Sequence, residues 1–480
     1  MSNNFLRSLA LVGAVAIIPA ATASMAAVDV DTYRELDQFM SVFERVRSDY
    51  VEQVDDKTLI RGAIDGMLAS LDPHSSYMDE RGYQALMTTT DGNYGGLGLN
   101  VTMEDGAVKV VAPIEDSPGF KAGIKAGDYI THLNGKLIYG GTLDEAVDSM
   151  RGAPGTSIKV TILRIGRDKP FDVTLTRATI ELPAVKWQVK DNVGVINVNT
   201  FSRTTTDETL AAIAAIEKKL GHPPLGYIVD LRSNPGGLLD QAVGLSDVFL
   251  ERGEVVSQRG RRKSDIERYY AKPGDAARGL PIIVLVDAGS ASAAEIVAAA
   301  LQDHHRAIVM GERSFGKGSV QTLVPLTAKT ALRLTTARYY TPSGRSVQEG
   351  GIKPDIEVPQ LSDPDYKARP KLREADLRRH LINEVSVDND VIEDDGKPDP
   401  RFAATPEQLK AKGIDDFQLH YALETISRLG RNAAAIPAGG ARPTGKRLSE
   451  TVIPAKAGTH EHVGAEVRTA VFMDPGSSPG

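Results

Sequence analysis

Ile282-Ile-Val-Leu-Val-Asp-Ala-Gly-Ser-Ala-Ser-Ala-Ala-Glu-Ile-Val-Ala-Ala-Ala-Leu301 is the stretch whose reading decides the fold. Its first five residues are an unbroken apolar run of strand length, the pattern of a strand covered on both faces. Ala293 to Leu301 reads as a helix that is apolar nearly all round, and Asp287 to Ser292 fills the turn between. Outward from it, strands are predicted over 193–200, 227–231, 307–310 and 320–326, with helices over 206–220, 238–249 and 293–304. Alternating strands and helices mean a layered α/β core. A serine on such a turn has a rigid mount. The helix N-terminus behind it offers free N–H groups and positive potential to a developing oxyanion. Ser290 or Ser292 acting as a plain helix cap accounts for the same residues.

The second informative segment is Gly311-Glu-Arg-Ser-Phe-Gly-Lys-Gly-Ser-Val-Gln321. It nearly matches a phosphate-binding loop, but such a loop needs Ser or Thr directly after the lysine and then a helix. Here Gly318 follows, and the next residues read as a strand. In a strand, Lys317 and Gln321 share a face. The pair fits a site, and it equally fits an exposed edge. As a general base, Lys317 would have to be largely neutral near pH 7. That needs a downward shift of more than about 3 pKa units, or about 4–5 kcal/mol, which desolvation can supply.

Other chemistries find little support. His304 and His305 lie about 18 Å from Ser292 along the helix axis. The remaining histidines, at 74, 132, 222, 380, 420, 460 and 462, sit in no segment that reads as a site. No HExxH pattern implies a metal, and the GxSxG elbow of α/β-hydrolases is missing.

The chain has 480 residues, more than one core needs, so several domains are expected. With 56 basic and 63 acidic residues the net charge is -7, which argues against a nucleic-acid binder. Residues 1–27 read as a secretory signal, with Arg7, an apolar run from Leu9 to Ile18, and small-residue cleavage sites at Ala21-Thr-Ala23 and Ser24-Met-Ala26. That run is about half of the ~20 residues a membrane-spanning helix needs, so cleavage and a periplasmic location are expected. Left uncleaved, the segment would tie the protein to the inner membrane. The chain has no cysteine, which fits an exported protein but does not require one.

Residues 28–93 read as a helical region, with Leu36, Phe39, Met40, Phe43 and Val46 at 3,4-spacing. From Tyr94 the period changes to two, giving a β-rich module over 94–180 before the α/β core over 181–360. After Pro359 the chain turns polar. Residues 388–399 resemble a solvated linker, 406–429 a last helix, and 435–480 a Gly/Pro/Ala-rich disordered end.

Five segments together resemble one family. They are Leu71-Asp-Pro-His-Ser-Ser-Tyr77, Tyr94-Gly-Gly-Leu-Gly-Leu99, Asp230-Leu-Arg-Ser-Asn-Pro-Gly-Gly237, Ser290-Ala-Ser-Ala293 and Gly316-Lys-Gly-Ser-Val-Gln321. They look like the carboxyl-terminal processing peptidases, or tail-specific proteases, and span about residues 35 to 360. The resemblance implies a multidomain α/β protein, with a crotonase- and Clp-protease-like peptidase core, an inserted PDZ domain and an N-terminal helical region. It implies Ser292 as nucleophile, Lys317 as base, Gln321 as the lysine's support, and the N–H groups of Gly237 and Ala293 as oxyanion donors. Ala294 departs from the family, which often has serine there.

By the same resemblance, Gly96, Leu97, Gly98 and Leu99 form the carboxylate loop and start of a peptide-binding strand. Leu143, Val147 and Met150, one face of a helix with Ala146, line the other wall or simply fill the core. Expected partners are protein substrates with apolar C-terminal tails, and a homo-oligomer or adaptor is compatible with the helical segments. No metal, nucleotide or nucleic acid is implied. A catalytically silent PDZ scaffold is the rival reading, and a crotonase-like acyl-CoA enzyme a third.

Overall fold

The computed structural model describes residues 30–104, 106–366, 368–384 and 400–434. The signal segment, the linker over 388–399 and the tail from 435 lie outside the described residues. The chain forms two compact units, residues 1–66 and 67–480. The first contains the helix Val30–Asp49. Leu36, Phe39 and Met40 of its apolar stripe are exposed, so the 3,4-spacing does not mark a buried face here.

The second unit is built around a six-stranded sheet in the order Val185–Lys190, Val193–Val198, Tyr227–Asp230, Ile282–Val286, Ile308–Gly311, Ile356–Glu357. The first pair is antiparallel and the rest are parallel. The apolar runs are continuous because both faces are covered. Val229, Val284 and Val309 pack with the helices Leu239–Phe249 and Ala293–Asp303. Ile228, Ile283 and Met310, one residue off in the alternation, pack against Leu419, Leu423 and Ile426 of the helix Phe417–Ala434. The predicted last helix is thus two, Pro406–Ala411 and Phe417–Ala434, parted at Gly413 with φ 70°. The second of them closes the sheet, so residues past 360 complete the core.

The strand Ser319–Pro325 does not join the parallel sheet. It pairs antiparallel with Ala331–Tyr340 in a second sheet that also holds Gly253–Gly260, Ile266–Ala271 and the short strand Ser76–Met78. Residues 76–78, expected within a helical region, therefore belong to the core.

The β-rich module has the strand order Leu99–Glu104, Ala107–Pro113, Tyr129–Leu133, Ser157–Leu163, Phe171–Thr176. Val108, Ile130, Ile158 and Val160 fill its own core. Its two ends leave together through a ladder of Asn93–Gly96 with Ala178–Glu181, as expected of a domain inserted in a loop.

The cover over the parallel sheet can be tested at Ile426, which is fully buried. Ile426→Ala should lower stability by about 2–5 kcal/mol in urea unfolding. A change within error would mean that the C-terminal helix is not part of the cooperative core.

Candidate active site

Ser292 stands where the turn after Ile282–Val286 enters the helix Ala293–Asp303. Its backbone has φ 57° and ψ −110°, a region that L-residues rarely occupy. Holding a non-glycine residue there costs about 1–3 kcal/mol. The turn is pinned by hydrogen bonds from the Ala291 N–H to the Asn234 carbonyl (2.9 Å) and from the Ser290 hydroxyl to the Leu231 carbonyl (2.8 Å). The capping reading does not hold for Ser292. Its Oγ is buried with no hydrogen-bond partner, and the bond that is made runs from its N–H to the Glu295 carboxylate (2.7 Å).

Glu295 is fully buried and accepts four hydrogen bonds. Oε2 takes the N–H groups of Ser292 (2.7 Å) and Lys317 (2.9 Å), and Oε1 takes the Gly316 N–H (2.7 Å) and the Ser314 hydroxyl (2.5 Å). Since Ser292 and Lys317 share one acceptor atom, their backbone nitrogens can be no further apart than those two bonds laid end to end. Tyr339 repeats the tie, its one hydroxyl hydrogen donating to the Lys317 carbonyl (2.5 Å) with the Ser292 carbonyl 3.3 Å away. The Phe315 N–H donates to the Ser290 carbonyl (3.0 Å). The serine turn and the lysine segment are one built unit.

Lys317 is 1% exposed. Burial holds its amine down at about 7, and the Arg333 cation pushes the same way, while Glu374, Glu295 and Asp72 pull back. The exposed-pair alternative is thus excluded, although Ser319–Pro325 pairs with Ala331–Tyr340 alone, and so is the phosphate loop, because a strand follows. Burial also pushes Glu295 up to about 7, against the pull of its four donors.

Lys317 precedes the strand that begins at Ser319, and a register shift between Val320 and Gln321 interrupts the alternation. The shared-face argument for Lys317 and Gln321 therefore does not describe the geometry. Gln321 is nonetheless buried in the same region, with its Nε2 donating to Ser319 Oγ (3.0 Å) and Thr335 Oγ1 (3.2 Å).

Gly236 and Gly237 have φ 107° and 143°. A Cβ on Gly236 would stand 3.0 Å from Ser292 Cβ and 3.2 Å from the Ala293 nitrogen, and one on Gly237 2.3 Å from the Phe201 carbonyl oxygen. Only glycine lets this turn lie against Ser292. The hydrogen bonds that hold the two turns use the N–H groups of Gly236, Leu238, Ala291, Ser292 and Ala294. Those of Gly237 and Ala293 are passed over in the same runs.

Three buried groups near Lys317 escape sequence reasoning. His74, set aside with the other histidines, places Nε2 2.9 and 3.0 Å from the two Glu374 oxygens, and burial lowers its pKa. Asp72 accepts from residues 74, 75 and 335. Glu374 carries no local signal. Glu295 does, since a serine with glutamate three residues on is the capping-box pattern.

In the β-rich module, Leu99–Glu104 is the edge strand, open on one side. The loop before it is held by the Leu97 carbonyl accepting from the Gly119 N–H (2.9 Å) and the Gly98 carbonyl accepting from Ile114 (2.8 Å). Gly96, Leu97 and Gly98 are buried and Leu99 is half-buried. On the helix Leu143–Met150, Ala146 and Met150 turn into the module's core, while Leu143 and Val147 lie half-buried at its margin.

Residues 192–358 match the model of peptidase family S41, residues 109–164 that of the PDZ domain, and residues 16–82 that of the activating protease CtpB N-terminal domain. The chain is 52% identical over 360 residues to a carboxy-terminal-processing protease of Bartonella bacilliformis, covering 75% of this chain and 83% of that one. The chain belongs to peptidase family S41. The carboxy-terminal processing protease CtpA of Bacillus subtilis is 39% identical over 70% of this chain and 71% of its own length. The CtpB protease of the same organism is 35% identical over 76% of each. This protein is therefore a serine-type carboxy-terminal processing peptidase with a PDZ domain.

The bracing carboxylate of the peptidase gives a direct test. Glutamine in place of Glu295 would turn N–H donors towards N–H donors, and each buried donor left unpaired costs about 1–3 kcal/mol. Glu295→Gln should lower both the melting temperature and kcat, the latter by tenfold or more. An unchanged melt and rate would show that the carboxylate braces nothing.

Proposed function

We propose that this peptidase is exported, takes protein substrates by their apolar C-terminal tails and cuts them with a Ser292/Lys317 dyad. The observation that carries the reading is the fully buried Lys317, held near pH 7 and tied through Glu295 to a strained serine whose Oγ has no partner. A lysine neutral at working pH accepts the serine proton as Oγ attacks the peptide carbonyl carbon. The Gly237 and Ala293 N–H groups receive the oxyanion. The ammonium then returns the proton to the leaving amine, and water, deprotonated by the same lysine, releases the acyl group from Ser292. Gln321 supports the lysine. The open edge of Leu99–Glu104 supports tail capture by strand addition, with Gly96, Leu97 and Gly98 meeting the terminal carboxylate and Leu143 and Val147 shaping the apolar wall, while Met150, expected there, backs it from the core.

An unfolded, apolar-tailed protein with a free or amidated C-terminus, incubated with wild type, Ser292→Ala and Lys317→Ala, tests the whole reading. Mass spectrometry should show cleavage by wild type only, slower with the amidated tail, and rate losses of about 10²–10⁴-fold or more in both variants. Because Lys317 must be neutral to act, wild-type kcat/KM should fall as the pH drops through about 7. Cleavage by Ser292→Ala would end the dyad reading, and equal rates on both tails would end the tail reading. Export rests on residues 1–27. The cell-made protein should be recovered outside the cytoplasm with its N-terminus at Ser24 or Ala27, and cytosolic protein with Met1 intact would end that part.

A further inference from the structure

Gln321 has an amide whose two ends differ chemically but hardly in shape, so something must decide which end faces which way. Its Nε2 donates to Ser319 Oγ and Thr335 Oγ1, and its Oε1 is buried with no partner. Thr335 lies directly across the ladder, since Gln321 pairs with it after the register shift. The Thr335 hydroxyl in turn donates to Asp72 Oδ1 (3.1 Å). That same oxygen accepts the N–H groups of His74 (2.8 Å) and Ser75 (2.8 Å), while the Ser75 hydroxyl donates to Oδ2 (2.8 Å).

The polarity of this chain is fixed from its far end. Backbone N–H groups can only donate, so Asp72 Oδ1 can only accept. Thr335 has one hydroxyl hydrogen, and Asp72 takes it. Towards Gln321 the threonine oxygen is then an acceptor, which demands the NH₂ end and sends Oε1 the other way. We propose that Thr335 is a positioning residue for catalysis. Anchored by Asp72, its hydroxyl locks the Gln321 amide with the carbonyl oxygen kept as the acceptor for the Lys317 amine. The proposal rests on the dyad reading above. It adds the reason that Gln321 presents an acceptor rather than a donor, and it assigns a task to the Asp72–Ser75 turn.

Without the hydroxyl, the amide can turn over and present N–H to the amine, engaging the lone pair that should take the serine proton. An acceptor favours the ammonium form, so its loss lowers the lysine pKa further. Mere loosening of the core would admit water and raise it.

In Thr335→Val, which keeps the shape, kcat should fall at least tenfold with KM within twofold, and the acid limb of the rate profile should stay or move to lower pH. Thr335→Ser should restore kcat to within about threefold of wild type, because the hydroxyl alone sets the polarity. If the valine variant does not fold, Thr335→Ala should show the same loss. Wild-type kcat in either folded variant, an acid limb moved to higher pH, or no rescue by serine would each overturn the proposal. Ser292→Ala and Lys317→Ala run alongside separate the two failures. If they are inactive while Thr335→Val is normal, only the positioning role falls. If they remain active, the dyad itself falls.

Discussion

A buried carboxylate, seconded by Tyr339 and the Phe315 N–H, joins the two halves of this site. Ser292 is mounted on the parallel sheet, and Lys317 leads into the antiparallel one. Nothing in either sheet's own hydrogen bonding fixes the distance between them. Glu295 does so by accepting from both backbones at one oxygen and from Gly316 and Ser314 at the other. A carboxylate suits the task because it has acceptors on every side and no donor to conflict with four converging donors. The cost is desolvation, which drives its pKa up to about 7. A buried charge with all its hydrogen bonds made is tolerable, while the same charge with one missing is not. The brace thus favours a single arrangement of its two segments.

The same burial gives Lys317 its chemistry. An amine in water would be protonated through the whole physiological range, and exclusion of solvent, aided by the Arg333 cation, brings it to about 7. The acids near it, Glu374, Glu295 and Asp72, all work against that shift. Each is occupied elsewhere: Glu374 faces His74 and Gln348, Glu295 the backbone donors, and Asp72 the turn at 74–75.

What could be read from the sequence follows the range of the interactions. The strand Ile282–Val286 is legible residue for residue, because continuous apolarity is a local property that double coverage requires. The helix after it is legible for the same reason. The sheet assignment of Ser319–Pro325 is not, since a strand carries no mark of its partner. The serine and lysine stood out by chemistry and resemblance, and Glu295 could have been found from its spacing to Ser292. His74, Asp72, Thr335 and Glu374 could not. Asp72 meets Thr335 across 263 residues and His74 meets Glu374 across 300, and no periodicity spans such gaps. The helix Phe417–Ala434 was visible as a helix, but its role as the second cover of the sheet was hidden behind a polar stretch.

Where the structure departs from ordinary satisfaction is itself informative. Most buried polar groups in proteins are hydrogen-bonded, and exceptions call for a reason. Among the described residues six buried side-chain atoms have no partner, and Ser292 Oγ and Gln321 Oε1 are two of them. One is a hydroxyl on a backbone forced to φ 57°, the other the carbonyl oxygen of an amide whose NH₂ end is held by two hydroxyl acceptors. A core selected for stability alone would cap the helix with the first and pair the second. Their neighbours, Ser290, Asn234, Ser314 and Ser319, all have their side-chain bonds made. Incomplete satisfaction here includes the two atoms to which the proposed mechanism gives the attack on the carbonyl and the support of the lysine.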